Sequence, residues 1–256
     1  MLSAELILDG LDTRMVGQRI LYYPSVTSTN EIARLEAGRG IPEGAVVIAD
    51  EQTAGRGRLK RTWLTPEGNI ALSVVLYPEK RILPSLIMIA SLAVAHSIET
   101  VTGLKTQIKW PNDVLIAGSK VCGILIESDV RKENINYAVI GIGINVNAGR
   151  DVLSGMQTPA TSLYFEAGKE VSRVQIIREL LKAMDNLYNT VTSGGSVFSE
   201  WRDRLVTLGQ EVRVTSGEEV FEGIAESVDT DGSLLVRSPD GSLSRVIAGD
   251  VTLRRY

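Results

Sequence analysis

The chain is short of the groups on which much enzyme chemistry depends. Of its 256 residues one is cysteine, Cys122, and one is histidine, His96. A single cysteine cannot close an intrachain disulfide, so nothing points to an oxidising compartment. No Cys–His pair and no run of ligands at metal-site spacing stands out, which argues against thiol–imidazole catalysis and a protein-held metal. The most apolar stretch, residues 83–98, is broken by Pro84, Ser85, Ser91, His96 and Ser97 and is short for a membrane span. Met1 to Glu5 lacks the basic start and apolar core of a secretory signal. The formal net charge is −4 and the pI near 5.3, which excludes broad nonspecific binding to nucleic acid. Together these absences predict a cytoplasmic, soluble protein with neither a membrane nor a nucleic acid as partner.

What is present is ample core material. With 44% hydrophobic and 23% charged residues, the chain can form one large domain or two unequal ones. Spacing predicts a helix over 29–38, capped by Ser28 or Thr29 and stopped at Gly38. A buried strand is expected over 44–50 and another over 69–77, followed by a long buried helix over 84–101. Strands follow near 105–110, 113–117, 120–128 and 136–147, then helices over 173–192 and 197–207. Beyond Gly209 the pattern becomes five short strands, near 211–215, 219–228, 233–238, 243–247 and 251–254. Their turn signals are Ser216-Gly217, Asp231-Gly232 and Asp240-Gly241. This predicts a catalytic α/β domain over 1–208 and a small SH3-like barrel over 209–256. Residues 209–256 hold nine acidic and five basic side chains and so carry the whole net charge.

Three blocks concentrate chemistry. Gly55-Arg56-Gly57-Arg58-Leu59-Lys60-Arg61 packs four cations and two glycines into seven residues of an acidic chain. Glycine lets another molecule approach the backbone, and guanidinium forks suit phosphate or carboxylate, so the block reads as an anion seat or, more plainly, as a solvated loop. In Lys109-Trp110-Pro111-Asn112-Asp113, Pro111 confines the stretch to a strand end and frees Asn112 and Asp113. A hairpin turn at Gly118-Ser119 then opens a strand at Lys120. Alternation sets Lys120, Cys122, Ile124 and Ile126 on one face and Val121, Gly123 and Leu125 on the other. A lysine opening an apolar strand either reaches an anion or snorkels to water. Finally, Ile140, Ile142, Ile144 and Val146 alternate with Gly141, Gly143, Asn145 and Asn147, a core face backed by almost bare backbone. Either a helix packs over those glycines or a flat ligand lies on them.

These blocks, with Ser28-Thr29-Asn30, Glu51-Gln52-Thr53-Ala54, and Lys120 followed by Gly123-Ile124-Leu125, resemble the biotin protein ligase family in order and spacing over residues 20–165. The likeness extends more loosely into the C-terminal barrel. It implies a mixed-sheet, class II-synthetase-like catalytic domain. It also implies the family reaction, in which biotin and ATP give biotinyl-5′-AMP and the biotin passes to a lysine of a biotin carboxyl carrier protein. By resemblance Ser28, Thr29 and Asn30 lie at one end of the biotin pocket and Gln52 bonds the ureido ring. Trp63 packs near the valeryl chain, and Gly123 keeps the pocket floor open. Arg56, Gly57 and Arg58 sit in the loop that orders over biotin and the adenylate. Lys120 reaches carboxylate and α-phosphate, while Asn112 and Asn145 contact the nucleotide and its Mg2+. Lys120 and Arg58 are then the catalytic cations, as expected for a reaction that drives two anions together.

One departure stands out. The family usually has glycine at the position of Lys60, so a left-handed backbone there would be strained. Asp113 is a candidate acceptor for the carrier lysine's proton, Cys122 reads as a small buried hydrophobe, and His96 as a satisfied residue. Family members that dimerise extend a sheet edge, for which residues 139–147 are the candidate. A lipoate or octanoate ligase of the same fold, a noncatalytic biotin-binding regulator, and a DNA-binding regulator are the competing readings. About twenty residues before the first strand are too few for a helix-turn-helix domain.

Overall fold

The computed structural model describes residues 2–63, 65–131, 134–149, 153 and 159–253. A seven-stranded mixed sheet forms its centre: β1 (Ile20–Val26), β2 (Val46–Gln52), β3 (Ile70–Leu76), β4 (Gln107–Lys109), β5 (Asp113–Ile116), β6 (Ser119–Arg131) and β7 (Asn134–Ile144). Their order in space is β1-β2-β3-β7-β6-β5-β4, with β1–β2 the parallel pair and the other pairings antiparallel. Besides the short α1 (Ala4–Leu8), the helices are α2 (Thr29–Gly38), α3 (Ser85–Thr102), α4 (Leu163–Ala167), α5 (Arg173–Thr192) and α6 (Phe198–Asp203).

Two-residue periodicity sorts the strands into faces. Val46, Ile48, Leu72, Val74, Ile140, Ile142 and Ile144 join the main core, against which α3 and α5 pack. Val47, Val75 and Val139 face the other way and are covered by Ala33 and Ala37 of α2. Helix α3 has a mean hydropathy of 1.5 and the length of a membrane span, yet 61% of it is buried inside the protein. It ends at Gly103, whose φ of 73° supplies the left-handed cap. Helix α2 spans Thr29–Gly38 as expected, with Ser28 at the N-cap; beyond it Gly40 (φ 80°) turns the chain, its N–H bonding Ala37 O while Ile41 N–H bonds Glu36 O.

Several boundaries differ from the spacing. The strand expected over 44–50 runs two residues further, to Gln52, because β1 pairs alongside it as far as Val26↔Gln52. The strand expected over 136–147 ends at Ile144; Asn145 N–H still bonds Val121 O of β6, whereas Asn147 N–H turns to Gly68 O. The last helix stops at Asp203 rather than 207. There Ile108 N–H bonds Arg204 O and Val206 N–H bonds Ile108 O, so residues 204–206 lie along the outer edge of β4. Residues 139–147 are no sheet edge either, since β7 is hydrogen-bonded to β3 on one side and β6 on the other.

The C-terminal module is a five-stranded antiparallel sheet, β8 (Glu211–Ser216), β9 (Glu219–Val228), β10 (Leu234–Arg237), β11 (Leu243–Val246) and β12 (Asp250–Leu253), in the order β11-β10-β9-β8-β12. Residue 254, expected to end the last strand, lies outside the described residues. The module docks through Trp110, whose N–H accepts no exposure to water: it bonds Thr207 Oγ1, and the indole N–H bonds Gly232 O at 2.8 Å.

Candidate functional site

The bare face of β7 and β6 is the floor of the site. A β-carbon added at Gly141 would lie 2.2 Å from Asn30 Oδ1, one at Gly143 2.2 Å from Trp63 Nε1, and one at Gly123 2.9 Å from Trp63 Cζ3. The helix reading of these glycines is therefore realised in part, and the flat group over the other two is the protein's own side chain. The start of α2 comes down on Gly141, and an indole lies over Gly143 and Gly123.

The wall at the α2 end is hydrogen-bonded throughout. Gln52 Oε1 accepts from Thr29 N–H at 2.9 Å and from its hydroxyl at 3.2 Å, while Gln52 Nε2 donates to Thr65 Oγ1 at 2.9 Å. Asn30 Nδ2 donates to Glu127 Oε2 at 2.8 Å, and its oxygen lies 2.6 Å from the buried Ser73 hydroxyl. Ser28, Thr29 and Asn30 are all buried. Ser28 occupies the N-cap position without using its hydroxyl as a cap, which leaves that group for a ligand.

The opposite end gathers cations. Lys120 Nζ sits 2.5 Å from Asp113 Oδ1, 5.4 Å from the Trp63 ring centre and 3.2 Å from where a Gly123 β-carbon would be. Lys120 therefore faces the glycine floor, not the Cys122 side that strict alternation assigned. The cause is a bulge: Val114 pairs Cys122, yet the next residue, Leu115, pairs Lys120, and the extra residue Val121 flips the strand's side-chain order. Cys122 and Ile124 stay in the core, where burial pushes the Cys122 thiol up, far from thiolate chemistry.

Arg58 reaches the same place from the other segment, with Nη1 donating to Asn112 Oδ1 at 3.1 Å. Asn112 in turn donates Nδ2–H to Ile124 O at 2.8 Å. Burial pulls the Arg58 guanidinium below its ordinary value, while the carboxylates of Asp250 and Asp113 oppose that. Lys109, which the sequence reading quoted but gave no role, lies directly across from Asp113 in the β4–β5 register. It too is lowered by burial and supported by Asp113 and Asp250. Its signal was available, since it shares the block with Asn112.

Other expected residues are placed differently. Arg56 is exposed and lines an open cavity of about 550 Å³ with Thr27, Glu31, Thr53 and Arg61, and Asn112 is not among the residues lining it. Asn145 is fully buried. Its Nδ2 donates to Thr161 O at 3.1 Å and its N–H to Val121 O at 2.8 Å, so it clamps the strands that carry Lys120. Gly57 opens the turn, its N–H bonded to Arg61 O at 2.7 Å. The left-handed residue of that turn is Leu59 (φ 52°), not Lys60, so the strain expected of lysine falls one position earlier. The Lys60 side chain lies outside the described residues. His96 Nε2 is 2.5 Å from Glu200 Oε1, a bridge from α3 to α6 remote from the cleft. No group of three potential metal ligands occurs among the described residues.

A mixed sheet with a glycine floor, one polar wall and cations at its other end makes a site suited to a flat ligand with an anionic end. Residues 22–145 match the family model of the biotin/lipoate A/B protein ligase family, and residues 207–254 match that of the biotin protein ligase C terminal domain. The chain is 35% identical over 258 residues to the bifunctional ligase/repressor BirA of Bacillus subtilis (strain 168), covering 98% of this chain and 79% of that one. It is 34% identical to the biotin--[acetyl-CoA-carboxylase] ligase of Paracoccus denitrificans, over 84% of this chain and 92% of the other. Among solved structures, the biotin protein ligase from Aquifex aeolicus in complex with biotin and ATP is similar at a TM-score of 0.80 and 30% identity, covering 93% of this chain and 100% of that one. The chain belongs to the biotin protein ligase family.

Proposed function

We infer that the chain is a biotin protein ligase. In the first step the biotin carboxylate attacks the α-phosphorus of ATP, forming biotinyl-5′-AMP and releasing pyrophosphate. In the second, the ε-amine of a lysine on a biotin carboxyl carrier protein attacks the mixed anhydride, AMP leaves, and an amide remains. The observation that carries this reading is the meeting of Arg58 and Lys120 at Asn112-Asp113, beside a floor built of glycines.

Each role rests on this geometry. The wall of Ser28, Thr29, Asn30 and Gln52 receives the polar ring of biotin, with the Ser28 hydroxyl as its ready group. Gly123 and Gly143 leave room for Trp63, which packs near the valeryl chain, and Gly141 leaves room for Asn30 at the ring end. Lys120 and Arg58 neutralise the carboxylate and α-phosphate as charge builds on the phosphoryl oxygens. Asp113 holds Lys120 until an anion takes its place and then stands beside the reacting centre, in reach of the incoming amine. Arg56 acts from the exposed part of the same loop, and Asn145 by tying β6 at Val121 to Thr161 beside Lys120. A Mg2+ ion carried with ATP would supply charge neutralisation for the departing pyrophosphate beside Asn112.

The catalytic domain is assigned to 1–208 and the SH3-like module to 209–256, in a cytoplasmic protein. A homodimer would use residues 125–131 of β6, which run beyond the β5 pairing that ends at Gly123. The deciding experiment is biotin-dependent ATP–pyrophosphate exchange, with lipoate and octanoate as competing acids. Exchange with biotin supports the reading, and exchange with lipoate or octanoate alone would replace it.

A further inference from the structure

Arg61 makes a contact that the cleft does not account for. It leaves the Gly-Arg loop and forks onto Asp250, the first residue of β12, 189 positions further along the chain. Nη1 lies 3.1 Å from Oδ1, and Nη2 contacts Oδ2. The carboxylate is aimed by its own strand: Asp250 pairs with Thr215 of β8, and a β-carbon on the preceding Gly249 would lie 2.7 Å from Val214 Cγ1. The other end of the pair is tied into the loop's turn. Arg61 N–H bonds Arg58 O at 3.0 Å, and Arg61 O accepts from Gly57 N–H at 2.7 Å. Whatever fixes Arg61 therefore fixes the turn from which Arg58 reaches Asn112. The pair is itself half-exposed, so its contribution is direction rather than stability. The Asp250 charge also favours the charged forms of Arg58 and Lys109.

We propose that Asp250 is a positioning residue of the adenylation site: the C-terminal module holds Arg61, and through it presents Arg58 to the Asn112–Lys120 end of the cleft before substrates arrive. The barrel is then a working part of the cleft, although it supplies no group to the reacting atoms. The proposal rests on the ligase reading for its catalytic consequence and on geometry alone for the holding of the loop.

Two readouts on the full chain test it, with Asp250→Asn, Asp250→Glu and Arg61→Gln. Without substrates, tryptic cleavage after Arg58, followed by mass spectrometry, rises about tenfold in Asp250→Asn and in Arg61→Gln, as a loosened loop requires. Asp250→Glu stays near the parent. In pyrophosphate exchange, the KM for ATP rises about fivefold in Asp250→Asn, while kcat changes by less than about twofold. Glutamate restores it. Parent-like cleavage and KM in Asp250→Asn would overturn the proposal, as would loss of kcat and thermal midpoint together with no change at the loop. Absence of exchange in the parent would sink the ligase reading instead, and the cleavage comparison would still decide whether Asp250 holds the loop.

Discussion

A β-carbon at position 143 would stand 2.2 Å from the Trp63 indole nitrogen, closer than any packed pair tolerates. Gly143→Ala is therefore expected to push the indole off the floor. Overpacking of this kind costs about 1–3 kcal/mol, seen as a lower midpoint in urea, and biotin titration calorimetry should show weakened binding. Retained parent affinity would mean that the floor is not where biotin lies. Lys120 gives the sharper test. Lys120→Ala removes a cation needed as charge develops, and the expected loss in biotin-dependent pyrophosphate exchange is about two orders of magnitude. Near-normal exchange would take Lys120 out of the chemistry. At this scale the glycine face was readable from period two alone, because a strand interior has no other use for alternate glycines. The orientation of Lys120 was not. A bulge at Val121 is set by the pairing of β5 with β6, which single-strand periodicity cannot register.

The elements that could be read were those whose pattern is local. Helix α5 spans 173–192 as its apolar spacing requires, and β9 spans 219–228 between two turn signals. Features set by distant partners could not be read: α1 and α4 are only five residues each, and the strand expected near 105–110 gave no sign that residues 204–206 close its outer edge. Distant partners also fix the loop before β1. Asp185, buried on α5, accepts from the backbone N–H groups of Arg14, Met15 and Val16 at 2.8–3.0 Å. Asp185→Ala strands those donors and should lower stability by about 2–3 kcal/mol, measured by urea unfolding. An unchanged midpoint would show that water replaces the carboxylate. Glu99 on α3 offers a pH test. Burial alone would raise its carboxyl, but hydrogen bonds from Arg204 and Thr106 outweigh that and hold it below its ordinary value. A lowered folded value means that the stabilisation is complete above the ordinary carboxylate range and is lost as pH falls through the folded value. The thermal midpoint of Glu99→Gln should fall less steeply than the parent's on acidification. Parallel acid limbs would exclude the Glu99–Arg204 clasp as a contributor.

At the scale of the molecule, the two halves share one hydrophobic cluster and add directional contacts to it. Trp110 is 2% exposed and spends its indole N–H on Gly232 O across the join. Trp110→Phe keeps most of the apolar contact and removes that bond. It should cost about 1 kcal/mol, and differential scanning calorimetry should still show one transition, since residues 204–206 and the docked module unfold with the central sheet. Two separated transitions in the parent would show that the halves melt independently. The division into a large α/β part and a small β part was visible in the change of strand spacing after Gly209. The join was not, because Trp110 looked like part of a catalytic block, and its ring serves as the hinge pin of the whole chain.

The three glycines under Trp63 and Asn30 also bear on how such a protein can change over generations. A surface made of backbone has no side chains to exchange, and each of its positions admits no larger residue without collision. Drift in the choice of acid is therefore confined to the rim, to Ser28, Gln52 and the residues that carry the indole, while the ground beneath stays the same.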